Sequence, residues 1–183
     1  IETTALMPQD GTIIEVGISE LDLETGYTRK LFDSLVREPD FETKFKADFS
    51  NRLKDFWVFL NTDIKIDDIL KAPTWDEKIK EIQEILETYP ITAYNKQFDF
   101  GWLKSRGLRI KHELSCPMII GTSVLRIPSP NYDREYKWPS VQESWDFFFP
   151  NNSQYIESHR AYDDCVHEAR IVLELFRRGY FTL

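Results

Sequence analysis

The chain is 183 residues long and carries 31 Asp and Glu against 23 Lys and Arg, a formal net charge of −8. Hydrophobic residues at 42% and charged residues at 30% exclude intrinsic disorder, and the length suits one domain spanning 1–183. The longest nearly uncharged stretch, Leu114 to Leu125, contains Pro117 and is too short to span a bilayer, so no membrane partner is expected. Two cysteines, Cys116 and Cys165, lie outside any CxxC pair and read as small buried hydrophobes of a reduced, cytoplasmic protein. An acidic chain makes a poor passive coat for long duplex nucleic acid. It is no obstacle to an enzyme, because carboxylates gathered around divalent cations become a phosphate site.

Ile1 opens directly into a stretch that reads as the end of a strand, with an upstream piece expected before it. Thr12 to Leu21 and Tyr27 to Val36 read as a hairpin around Glu24-Thr25-Gly26, with Ile14, Val16 and Ile18 on one face. Phe41, Phe45, Phe49, Leu53, Phe56 and Leu60 recur at helical spacing, which predicts one amphipathic helix over 41–60. Thr74 with Glu77 forms a capping box for a helix carrying Ile79, Ile82, Ile85 and Leu86. Pro90 to Asn95 reads as a strand, followed by a helix from Phe98 to Arg106 that stops at Gly107.

A further strand should precede the helix opened by Ser115 and Pro117. Ser140 with Glu143 caps another helix, and Ala161 to Arg178 is helical, with Cys165, Ala169, Val172 and Phe176 on one side. Segment 126–139, with three prolines, is the expected mobile loop. This order predicts an α/β fold with a mixed sheet.

Three segments concentrate chemistry: Glu2-Thr3-Thr4-Ala5-Leu6, Asn95 to Asp99, and His159 to Asp164. Each places a carboxylate near the end of an element, where open α/β sheets build their sites. In motif type and order they resemble the DEDDh group of 3′–5′ exonucleases, the DnaQ-like family. That family runs Asp-x-Glu-Thr-Thr-x-Leu, then Asn-x-x-Phe-Asp, then His-x4-Asp. The resemblance spans almost the whole chain and implies a ribonuclease-H-like fold with a mixed sheet flanked by helices, built around the strand ending at Glu2. The 12–36 hairpin would lie on one side of that strand and the 91–95 strand on the other.

It also implies hydrolysis of phosphodiester bonds at the 3′ end of single-stranded DNA or RNA, with two divalent ions, Mg²⁺ or Mn²⁺. Such ions activate water and neutralise the leaving oxygen. Carried over residue by residue, Glu2, Asp99 and Asp164 match the metal ligands and His159 the general base. Thr3, Thr4 and Asn95 match substrate contacts, and Leu6 the wedge against the last base. The family's first Asp would stand directly before Ile1. Ala5 replaces the usual Gly, Tyr94 precedes Asn95 where a His is common, and Asn61-Thr62-Asp63-Ile64 stands where many members carry His-x-Gly-Ile.

The other readings are plain ones. Asp99 suits a helix cap, and His159 suits a surface position. Phe98 and Trp102, at i and i+4, read as core. Lys104, Arg106, Arg109, Lys111 and His112 form a basic run that serves equally as a solvated helix end or as a strip for a single strand, which Arg126, Arg134 and Lys137 would extend. At the level of the whole chain, a catalytically inactive nucleic-acid-binding or scaffold module stands as the alternative to the enzyme. DNA against RNA, and the oligomeric state, stay open.

Overall fold

A computed structural model describes residues 1–46, 56–130, 134–152, 155 and 158–183. In chain order the elements are β1 (Glu2–Thr3), β2 (Ile13–Leu21), β3 (Thr28–Leu35), α1 (Phe41–Lys46), α2 (Trp57–Asn61), α3 (Ile66–Lys71) and α4 (Trp75–Thr88). After them come β4 (Pro90–Ile91), α5 (Lys96–Ser105), β5 (His112–Glu113), α6 (Pro117–Leu125), α7 (Val141–Phe148) and α8 (Ala161–Arg177). The architecture is mixed α/β. No helix among the described residues is long and apolar enough to cross a membrane.

The hairpin forms where alternation and turn chemistry agree. The Asp22 carboxylate accepts the Glu24 and Thr25 amides at 2.9 and 3.0 Å, and Gly26 takes the positive φ of 78° that closes the turn. β2 is the centre of an antiparallel sheet in the order β1-β2-β3, with Glu2 opposite Glu15 and a register shift before Thr3.

β2 is buried on both faces. Val16, Ile18 and Phe32 share one core with Ile82 and Leu86 of α4 and Trp102 of α5. On the opposite face Ser19 meets Cys165 of α8 at 3.1 Å. Gly17 permits that approach: a Cβ there would stand 2.4 Å from the backbone of Ala161 and Tyr162. Gly17→Ala should therefore cost roughly 3 kcal/mol, the upper end of overpacking, read as a lower urea midpoint.

The strands fall into two sheets rather than one. β4 pairs with β5 in parallel, Pro90 opposite His112. β1 adds only Glu2 and Thr3 to the ladder, so nothing among the described residues bridges β2 to β4. The expected 90–95 strand is correspondingly short, because Thr92 to Tyr94 have no ladder partner.

The single helix expected over 41–60 is also revised. Phe56 is extended, with φ −77° and ψ 109°, so α2 starts afresh at Trp57; Phe49 and Leu53 lie outside the described residues. Residues 131–133 of the proline-rich segment lie outside them as well. Thr74/Glu77 and Ser140/Glu143 both close full capping boxes. The basic run resolves largely into ion pairs: Lys104 and Lys96 with Glu113, Arg109 with Glu87, and Arg106 with Glu38. Arg106 also donates to the Pro8 and Gly11 carbonyls, which ties the loop after β1 to α5. Three of its five members are thereby paired with carboxylates.

Candidate active site

A cavity of about 260 Å³ opens where the ends of β1, β4 and α8 meet, and Glu2, Asn95, Asp99, Asp164 and Glu168 all line it. The chain brings these groups in from three directions. β1 delivers Glu2. Asp99 sits inside the first turn of α5, four residues past the N-cap Asn95, so it does not cap the helix. Instead its carboxylate accepts a hydrogen bond from the α-ammonium of Ile1 at 3.1 Å. Asp164 and Glu168 are at i and i+4 on α8 and so share one of its faces.

The start of α8 is pinned. Glu15, only 1% exposed, accepts from Arg160 Nε and Nη2 at 3.0 and 2.7 Å and from the Ala161 amide at 2.9 Å. This fork satisfies an orphan helix amide as well as a guanidinium. Arg160 reaches on to Asp63 at 2.9 Å and so ties the segment after α2 to the same corner. Between that pin and the cavity, His159 takes a left-handed φ of 54°, a conformation that favours glycine. Its ring stands edge-on to Trp57 of α2 at 4.6 Å between centroids. It lies outside the cavity lining, five residues before Asp164. Such strain in a well-braced segment is typical of functional positions.

Asp164 is 8% exposed and accepts from the Ser158 amide and hydroxyl at 3.2 and 3.3 Å, whereas neighbouring Asp163 faces solvent. Thr4 is buried and committed: its amide donates to the Thr12 carbonyl at 3.0 Å, and its hydroxyl accepts from the Thr12 amide at 2.8 Å. Thr3 donates to the Ala5 carbonyl at 2.8 Å. Leu6 is 83% exposed on the loop beyond β1, an unusual place for leucine. Trp102 is wholly buried, in line with the core reading.

Glu168 was not singled out by the motifs. The i, i+4 spacing from Asp164 on a helix whose other face is apolar is the signal that would have found it. Trp57, Glu15 and Asp63 are brought to the site by tertiary packing alone.

The acids are short of countercharge. Burial, opposed by the Ile1 ammonium and reinforced by Asp164, Glu15 and Asp99, pushes Glu2 up to about 7. Burial and the nearby Asp99 push Glu168 up to about 8. Asp164 is also raised by burial, with His159 and the Ser158 bonds opposing. The Ile1 ammonium, despite burial, is lifted to about 11 by Asp99 and Glu2. Among the described residues no three His, Cys, Asp or Glu side chains form a ready-made cation cage. The acids lining the cavity are all carboxylates, the donor type a hard divalent ion takes, and one of them, Asp99, holds the Ile1 ammonium.

The pH consequence has a definite sign. Carboxyls raised in the folded state stabilise it fully below their unfolded values and lose that contribution as pH climbs through about 7 for Glu2 and about 8 for Glu168. Lowered groups such as Glu77 and Glu113 lose their contribution only in acid, below this window. The metal-free chain should thus melt roughly 5 °C lower at about pH 8.5 than at about pH 5.5, with millimolar Mn²⁺ restoring the difference at the higher pH. Differential scanning fluorimetry at the two values checks it.

No family model, curated protein or solved structure matches this chain.

Proposed function

We propose that this chain is a metal-dependent 3′–5′ exonuclease of ribonuclease-H-like fold, acting on the 3′ end of single-stranded DNA or RNA. The observation that carries the reading is the shared cavity of Glu2, Asp99 and Asp164, which are separated by most of the chain and meet in one pocket beside a strained histidine. When bound, two Mg²⁺ or Mn²⁺ ions would supply an activated water and a neutralised leaving oxygen. Glu2, Asp99 and Asp164 would hold them, and Glu168, on losing its proton as they bind, would add to the negative charge beside them.

His159 takes the proton of the attacking water, its imidazole kept in place by Trp57 and by the Glu15–Arg160 pin. Exposed Leu6 wedges against the terminal base, while Asn95 and Thr3 contact the last nucleotide. Thr4 serves that end by fixing the loop that carries Leu6, since its amide and hydroxyl are taken by Thr12.

A residue placed directly before Ile1 would share Glu2's side of β1. The test therefore uses the chain carrying Asp at that position, incubated with 3′- and 5′-labelled single strands of DNA and RNA with Mg²⁺, Mn²⁺ or EDTA. Early release of the 3′ label as mononucleotide, blocked by EDTA, is the expected result. Release from the 5′ end, or equal release in EDTA, would defeat the reading. The second reading, an inactive nucleic-acid-binding module, draws on the absence of a closed cation cage among the described residues and on the ammonium seated at Asp99. Strand binding without metal-dependent cleavage would favour it.

A further inference from the structure

α5 begins at the acid cavity and leads away from it. Lys96, Phe100 and Lys104 recur at i, i+4 and i+8, so they share one side of the helix over about 12 Å. That side is one wall of a groove of about 470 Å³, whose other wall is Met118 and Ile119 of α6 with Trp138. The groove and the acid cavity share Asn95 and Phe100, so one leads into the other.

Trp138 and Ile119 are each about half exposed, and the exposure of Trp138 is not looseness. The hydroxyl of Tyr94, which lines the acid cavity, lies within hydrogen-bond reach of the Pro139 and Ser140 carbonyls, at 3.1 and 3.0 Å. On the other flank the Lys137 amide donates to the Ile127 carbonyl at 2.9 Å. An indole braced on both flanks yet left in solvent is a preformed plate for another flat ring. Gly101 sits inside α5 on the facing wall, and a Cβ there would meet nothing within 4 Å among the described residues. Packing within the chain therefore does not call for glycine at a position where it weakens the helix. Its effect is to keep the groove open beside Phe100.

The cations are placed for phosphates. Lys96 and Lys104 each stand 5.9 Å from the Phe100 ring centre and share the single carboxylate of Glu113, so this wall keeps surplus positive charge. Arg134 lies over the Trp138 ring at 4.4 Å. In a chain of net charge −8, aromatic rings interleaved with cations beside the acid cavity suit a single strand, whose bases stack while its phosphates meet ammonium groups.

We propose that this groove holds the nucleotides that precede the terminal one of a single strand, with a base stacked on Trp138 and phosphates beside Lys96 and Lys104. The proposal rests on the nuclease reading for its polarity: the 3′ end lies at Asn95, and the strand runs 5′-ward along α5. A wall of about 12 Å takes roughly two or three nucleotides, so affinity should climb as the strand lengthens from two nucleotides to about four. Stacking of this kind reads neither sequence nor sugar, so DNA and RNA are held alike.

The experiment reads fluorescence anisotropy of 5′-fluorescein oligothymidylates and oligouridylates of two, four and eight nucleotides. It is run in EDTA, which prevents metal-dependent cleavage, on the chain and its Trp138→Ala, Trp138→Phe and Gly101→Leu variants. Trp138→Ala should weaken binding of the four- and eight-nucleotide strands roughly tenfold, the scale of one lost stack, and flatten the dependence on length. Trp138→Phe should keep most of the affinity. Gly101→Leu should weaken the longer strands by a similar factor while Tm holds or rises, because leucine is the better helix former.

Unchanged affinity in both Trp138→Ala and Gly101→Leu, or an equal loss for two and eight nucleotides, would overturn the proposal. So would a change confined to self-association on sedimentation, which would make this face a contact between copies. Metal-dependent cleavage with unchanged affinities defeats the groove alone. Length-dependent loss in the variants without any cleavage upholds the groove and defeats the nuclease reading.

Discussion

Replacing Asp164 with Asn should lower release of 3′ nucleotides by roughly 10³-fold or more, the scale of losing a group the chemistry cannot do without. The fold should survive, because the Asn carbonyl can still accept the Ser158 amide and hydroxyl that now bond Oδ1. Removing the charge also eases repulsion on Glu2 and Glu168, so Tm at alkaline pH should hold or rise slightly. Asp163→Asn is the paired control. Its carboxylate faces solvent, one position round the helix, and its loss should change the rate by less than roughly threefold, as for other exposed substitutions. If the two variants exchanged phenotypes, the His-x4-Asp spacing would have selected the wrong acid.

His159→Ala should reduce turnover by roughly 10²–10⁴, the range for a positioned general base, with single-strand binding largely kept. His159→Gly separates chemistry from backbone strain. Both variants lose the base, but Gly accepts the φ of 54° without penalty and should be more stable than Ala by about 1 kcal/mol. Equal rates for wild type and His159→Ala would remove the histidine from the mechanism.

The parts of this fold legible in sequence are those specified locally. The hairpin is written in alternation plus the Asp22–Gly26 turn, and α4 and α7 are announced by Thr74/Glu77 and Ser140/Glu143, whose capping bonds need no distant partner. The break at Phe56 carries no comparable signal, and the apolar periodicity from Phe41 to Leu60 concealed it. Two-residue strands such as β4 and β5 are too short for a period and exist only as pairs.

The candidate site divides in the same way. Glu2, Asp99 and Asp164 were visible through motif order, and the i, i+4 geometry of Glu168 was visible but unweighted. Thr4 could not be assigned from its motif, because its partner Thr12 lies across a loop whose closure depends on Arg106. The buried Glu15 is the clearest case. In sequence it is one acid in an apolar strand; only the fold reveals that Arg160 and the α8 amide require it.

The most direct test of the acid cavity as a catalytic cation site is a calorimetric titration of Mn²⁺ into the metal-free chain carrying Asp before Ile1, alongside its Asp164→Asn variant. At about pH 8 the unsubstituted chain should bind saturably with release of protons, and at about pH 6 more weakly, because Glu2 and Glu168 must give up protons to admit the ion. The Asp164→Asn variant should show no comparable binding. Absence of binding at millimolar Mn²⁺, or isotherms unchanged by the substitution, would contradict the account.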